Sequence, residues 1–377
     1  MFSRRLPWDL PRNPLSTLLD ARHRAGTPVL DLTESNPTRA GFTYPAEQIL
    51  AALADPRALL YHPSPRGLLS AREAISNYYS QRGREVPPSN ILLTASTSEA
   101  YAYLFKLLAD PGDEILTPRP SYPLFEFLAA LESVKTRQYP LRYDGAWHID
   151  FDALERAVTP RTRAIVVVNP NNPTGSFLQP AEFDRLQALA SNRGIAILLD
   201  EVFLDYGFAP TPVPSPPKAL TFSMSGLSKI AGLPQLKLGW IVADGPGHPE
   251  ALDRLELIAD TYLSVATPVQ LALPTLLSLS TALRDQIRKR TSANLAWLRS
   301  ITAGSEFQAL HVEGGWYATL QVPRTRSEEE WALMLLRERD VLVQPGFFFD
   351  FESEAYLVLS LLTARDVFEH GVRRICA

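Results

Sequence analysis

Six short runs of almost unbroken apolar residues constrain this chain most. They are Asn90–Ala95 (NILLTA), Asp113–Thr117 (DEILT), Arg163–Val168 (RAIVVV), Gly194–Leu199 (GIAILL), Ala219–Met224 (ALTFSM) and Leu238–Ala243 (LGWIVA). In each run both alternating faces are apolar, which reads as a strand covered on both sides. Helix-like stretches follow the first three: Glu99–Leu108, Tyr122–Glu132 and Pro180–Asn192. This alternation predicts an α/β body, a mostly parallel sheet with helices on both faces, over residues 45–270. At 377 residues the chain has room for a second unit. From 271 onward the pattern changes to a long helix or two over Leu271–Ser300, GGWYATLQV, a helix over Ser327–Asp340, VLVQPG, AYLVLSLL and a closing helix from Ala364. That is an α+β lobe. Residues 1–44 carry no strong pattern and are expected to wrap onto it or onto a partner chain. Pro210–Pro217, thick with proline, reads as a stiff surface loop.

Composition narrows the function classes. A formal net charge of −4 implies no general attraction to nucleic acid or to an anionic membrane. The single cysteine, Cys376, leaves no intrachain disulfide and fits a reducing cytoplasm. No uncharged apolar run approaches the ~18 residues of a membrane helix. Met1–Leu10 is broken by arginines, Pro7 and Asp9 and is not read as a leader. The histidines lack metal-ligand spacing, and no glycine-rich nucleotide fingerprint occurs.

Ligands of open parallel sheets bind beyond the carboxyl ends of the strands, and the unusual polar residues collect there. NILLTA runs into Ser96-Thr97-Ser98 and a helix start, which is either a phosphate seat or a plain N-cap. RAIVVV runs into Asn169-Pro-Asn-Asn-Pro-Thr-Gly175, whose two Asn-Pro steps aim amides into the crevice. GIAILL ends in Asp200-Glu201, acids that need either a heteroaromatic cation or a structural arginine. ALTFSM leads to Lys229, one of only six lysines, set among small residues. A phosphate, a basic ring nitrogen, a hydrogen-bonding ring oxygen and an aldehyde would together satisfy all four. That ligand is pyridoxal 5′-phosphate. A Ser-Lys hydrolase would need serine three residues before the lysine, where Gly226 stands.

NPNNPTG, DEVFLDY and SGLSKIAGLPQLKLGW, in this order and spacing, resemble the class I/II aminotransferases that depend on pyridoxal phosphate, the fold type I or aspartate aminotransferase superfamily. The likeness runs from LDLTESNPT to YLVLSLLT, with weaker agreement at YHPSPRG, GDEILTP and PRPSYP. It implies a large cofactor domain (45–270) with a mostly parallel seven-stranded sheet, and a small α+β domain made of 271–377 with 1–44 as its arm. It also implies roles. Lys229 would form the Schiff base and then act as general base, and Asp200 would pair with the pyridinium nitrogen. Asn172 would bond the ring oxygen and Tyr122 would stack on the ring. Ser96, Thr97, Ser98, Ser225, Ser228 and Lys237 would hold the phosphate. Tyr61 would reach the phosphate of a second copy in a homodimer with shared sites. Ser35, Asn36 and Asn172 are implied on the substrate side.

Three positions depart from the family pattern. Lys237 stands for the usual arginine, Phe203 for a tyrosine that bonds the ring oxygen, and Val358 for the arginine that clamps the substrate carboxylate. Arg39, Arg66, Arg119 and Arg365 are alternatives for that clamp. The expected activity is transamination of a hydrophobic or aromatic donor, from the aromatics at 316–317 and 347–351. The missing clamp keeps a lyase, decarboxylase or amine oxidase on the same fold as the alternative. A cofactor-binding transcription regulator would need a DNA-binding segment ahead of the fold, and about forty residues are too few for one.

Overall fold

A computed structural model describes residues 1–10, 12–210, 215–353 and 355–377. Residues 211–214 of the proline-rich loop lie outside the described residues. All six apolar runs are strands of one sheet. In chain order its strands are β1 (Ile91–Thr94), β2 (Glu114–Arg119), β3 (Lys135–Tyr143), β4 (Trp147–Ile149), β5 (Thr162–Val168), β6 (Ala196–Asp200), β7 (Thr221–Gly226) and β8 (Gly239–Asp244). Their spatial order is β1-β8-β7-β6-β5-β2-β3-β4. Pairings from β7 through β3 are parallel, while β8 runs against both β1 and β7. The short β4 adds an eighth, antiparallel edge strand to the seven implied by resemblance. Neither β3 nor β4 stood out in the sequence. β3 (KTRQYPLRY) lies near the sheet edge and buries only its Tyr139–Leu141 portion, so it carries too many polar residues to read as a core strand.

Alternation explains the unbroken apolar runs. In β6, Ala196 and Leu198 face one cluster with Phe105 and Leu255, while Ile197 and Leu199 face another with Phe183 and Leu186. The helix Thr267–Thr302 is a single rod of 36 residues despite Pro274. It starts against the sheet through Val269 and Leu273 and ends in the second lobe through Leu295 and Leu298. That lobe holds a four-stranded antiparallel sheet that includes β9 (Tyr317–Gln321) and β10 (Tyr356–Ser360). Leu30–Asp31 pairs in parallel with Val341–Leu342, laying the N-terminal segment on this lobe. No helix among the described residues is long and apolar enough to cross a membrane.

Candidate active site

The parallel strands β2, β5, β6 and β7 end on one edge of the sheet, and β1 ends there too because β8 reverses between β1 and β7. Lys237, just ahead of β8, is therefore delivered to the edge where Ser96, Asn172, Asp200 and Lys229 emerge. Two glycines allow the close approach. A Cβ on Gly239 would lie 3.1 Å from both the Ser96 carbonyl carbon and the Ser225 oxygen. On Gly226 it would lie 2.8 Å from the Leu238 oxygen and 2.9 Å from Gly239 Cα.

Ser96 is the N-cap of the helix Thr97–Leu108, and its hydroxyl accepts from the Glu99 amide at 3.1 Å. The capping alternative thus holds for that hydroxyl. The first-turn amides, Thr97 and Ser98 among them, have no acceptor within the helix. Ser225 is buried, its hydroxyl 3.5 Å from the Glu201 carbonyl, while Ser228 is half-buried. Lys237 is exposed and holds a left-handed backbone (φ 51°, ψ 58°), a conformation unfavourable for a residue with a Cβ.

The two acids at the end of β6 divide the alternatives between them. Glu201 takes the structural arginine, Arg84 at 3.4 Å. Among the described residues Asp200 has only neutral donors: Tyr101 O–H to Oδ2 at 3.0 Å and Val202 N–H to Oδ1 at 3.1 Å. Burial pushes its pKa up to about 6 against the pull of these two bonds and of the Lys229 charge. The three asparagines of NPNNP divide likewise. Asn169 accepts from Leu178 N, and Asn171 bonds Pro120 O, Thr174 Oγ1 and Ser121 Oγ. Asn172 is buried, and its Oδ1 has no partner among the described residues.

Lys229 lies on a single turn, Leu227–Ile230. Its Nζ is 5.1 Å from the Trp316 ring centre and 5.6 Å from that of Phe203. Burial lowers its pKa, opposed by the charge of Asp200. The Tyr206 hydroxyl donates to the Lys229 carbonyl at 2.6 Å. Phe203 meets Trp316 at 5.2 Å and Tyr317 at 6.3 Å, and Tyr317 meets Phe349 at 6.4 Å. These rings form one wall. Phe351 instead packs on Trp147 and Tyr356, and Phe348 packs against the second-lobe core. Tyr122 is half-buried, and its phenol pKa is raised by burial and by the Asp200 charge.

Ser35 sits beside Tyr317. The Asn36 Oδ1 is taken by the amide and hydroxyl of Thr38, at 3.0 and 2.7 Å. Tyr61 is 82% exposed and does not meet these residues within one chain. Val358 is fully buried opposite Thr319. Of the four alternative arginines, Arg66 pairs with Asp253 and Glu256, Arg119 with Glu352, and Arg365 with Glu369. Among the described residues, Arg39 alone of the four has no ion-pair partner.

Tyr101, Trp316 and Tyr206 were not singled out from the sequence as neighbours of Asp200 and Lys229. For the two tyrosines the only signal is general, that a buried phenol needs a polar partner, while the buried Trp316 Nε1 has none among the described residues.

Comparison with known proteins assigns the family. Residues 27–375 match the family model for aminotransferase class I and II. The glutamate-pyruvate aminotransferase AlaA of Escherichia coli K12 is 32% identical over 298 residues, covering 76% of this chain and 73% of that protein. An S-alkyl-thiohydroximate lyase of Arabidopsis thaliana is 31% identical over 56% of this chain and 48% of its own length. A crystal structure of an Escherichia coli aminotransferase superposes with a TM-score of 0.86 at 27% identity, covering 100% of this chain and 97% of that one. With the family model spanning nearly its whole length, this chain belongs to the class I and II aminotransferases and is an enzyme of that family.

Proposed function

We propose that this enzyme is a pyridoxal 5′-phosphate-dependent aminotransferase moving an amino group from a hydrophobic or aromatic donor to a keto acid, with Lys229 as the residue that carries the cofactor. The observation that supports it most is a buried carboxylate, Asp200, with only neutral hydrogen bonds among the described residues, on the same strand-end edge as a buried Asn172 whose Oδ1 has no partner among them. Both groups fit the cofactor. When bound, it supplies a protonated pyridine ring that draws electrons from the donor Cα as that carbon loses its proton. Asp200 keeps the proton on the ring nitrogen and gains the opposite charge that its burial lacks. Asn172 presents its N–H to the ring oxygen, and Tyr122 covers a ring face. Thr97 and Ser98 offer first-turn amides to the phosphate, with Ser96 capping that turn and Ser225, Ser228 and Lys237 alongside. Burial favours the neutral Lys229 amine, which can take the Cα proton and return it.

The wall Trp316–Phe203–Tyr317–Phe349 supports an apolar donor side chain. Loading with pyridoxal phosphate should produce a visible absorbance band that Lys229→Ala abolishes while the fold survives. A donor screen then tests the substrate class. If only acidic amino acids discharge the band, the apolar donor is wrong. A lyase reading of the same site is favoured by Val358 and by the relative named as a lyase. Stoichiometric ammonia release would decide for it.

The exposed Tyr61 lies beside exposed Leu59 and Leu60 and shares a surface pocket with Leu263. This supports a homodimer in which Tyr61 reaches the partner's phosphate. Sedimentation should give twice the chain mass, and a monomer that retains full activity would defeat the shared site.

A further inference from the structure

Five residues past Asp200 the chain buries a further carboxylate that the proposed chemistry leaves unused. Asp205 is 5% exposed and gathers cations from two helical elements. Its Oδ1 takes Arg82 at 2.7 Å, just past the helix Leu69–Ser80. Its Oδ2 takes Arg284 at 2.7 Å, on the long helix Thr267–Thr302, and the Tyr78 hydroxyl at 3.2 Å. Its carbonyl takes Arg288 Nε at 2.7 Å. The Arg82 guanidinium is fixed in turn 3.7 Å over the Tyr78 ring and by the Tyr78 carbonyl. Charge-assisted bonds on every side of one carboxylate set its position in three dimensions, which a single ion pair would not.

The turn held this way, Phe203–Tyr206, touches Lys229 twice. Phe203 places its ring near Nζ, and Tyr206 donates to the Lys229 carbonyl. The same turn anchors the indole on the other side of the amine. The Tyr206 carbonyl accepts from Gly315 N at 3.0 Å, and its ring meets Trp316 at 5.1 Å. We infer that Asp205 is a positioning residue: it ties the turn to the helices behind the sheet and so fixes the backbone and ring cage from which Lys229 works. The inference rests on the proposed role of Lys229.

The test compares pyridoxal-phosphate-loaded wild type, Asp205→Asn and Tyr206→Phe. It reads induced circular dichroism per bound chromophore, kcat and KM for a donor that wild type accepts, and melting temperature. A lysine held less firmly gives a less asymmetric chromophore and a slower proton transfer. Both variants are expected to lose at least half of the ellipticity per chromophore and about tenfold in kcat, with KM within about twofold. Tyr206→Phe should do so at a nearly wild-type melting temperature, because it removes one hydroxyl. If Asp205→Asn does not fold, Arg284→Lys, which keeps the charge and loses the fork, takes its place. The inference is overturned if the variants melt earlier but keep ellipticity per chromophore and kcat within twofold of wild type. A wild-type chain that takes up no cofactor overturns the reading of Lys229, and this inference with it.

Discussion

Tyr101 donates its phenol to Asp200 across 3.0 Å, joining the helix that begins at the proposed phosphate seat to the carboxylate at the end of β6. The bond favours the charged carboxylate in a place where burial disfavours it. Tyr101→Phe should therefore raise the Asp200 pKa further. Cofactor affinity should fall by roughly tenfold, the lower end for one hydrogen bond to a charged group. Equilibrium dialysis against pyridoxal phosphate measures it.

Asp200 also makes the cofactor-free protein pH-dependent. Its folded pKa lies near 6, above the ordinary carboxylate value of 3.8. The folded state thus holds the proton longer than the unfolded state does. Its contribution to stability is present below about pH 4 and is lost as pH rises through 6, on the order of 3 kcal/mol in all. Asp200→Asn removes that loss. Thermal unfolding without cofactor should show the variant more stable than wild type at pH 8, with the gap falling by about half at pH 5 and closing near pH 4. At the same time it should lose cofactor affinity.

Phe203 places no hydroxyl where the resemblance implies a tyrosine. Phe203→Tyr adds a donor near the proposed ring oxygen. It favours the form whose ring oxygen is anionic and whose Lys229 nitrogen has lost its proton. The pH at which the bound-cofactor absorbance titrates should therefore be high in wild type and fall in the variant. An absorbance titration showing an unusually low wild-type value would contradict this.

Gly226 adopts an extended backbone (φ 175°), so only packing demands glycine there. The atoms an added Cβ would meet belong to the backbone of Leu238 and Gly239 and cannot swing away. Gly226→Ala should cost about 1–3 kcal/mol by overpacking. It should also move Lys229 relative to Lys237. Chemical denaturation and cofactor titration on one preparation read both effects.

Much of the site was legible because its chemistry sits in local segments: small hydroxyls at a helix start, an asparagine-proline turn, and acids after a wholly apolar run. Their sharing one edge also followed from the sequence, since strands that alternate with helices run parallel and end together. The division of labour inside each segment was not legible. Ser96 and Ser98 differ only in whether a hydroxyl caps the helix. Asn169, Asn171 and Asn172 differ only in which one the loop leaves unbonded. Asp200 and Glu201 point to opposite faces because strand side chains alternate, and which of them meets an arginine depends on Arg84, more than a hundred residues earlier.

Sequence alone determined the fold class, the ligand-bearing edge and the residues that could serve a cofactor, because burial patterns and turn chemistry are local. Only the tertiary structure decided which of those residues remain unspent, that aromatic rings flank Lys229, and that Asp205 anchors the turn beneath it. Those facts depend on side chains far apart in the chain meeting at hydrogen-bond distance. No periodicity along the sequence records such a meeting.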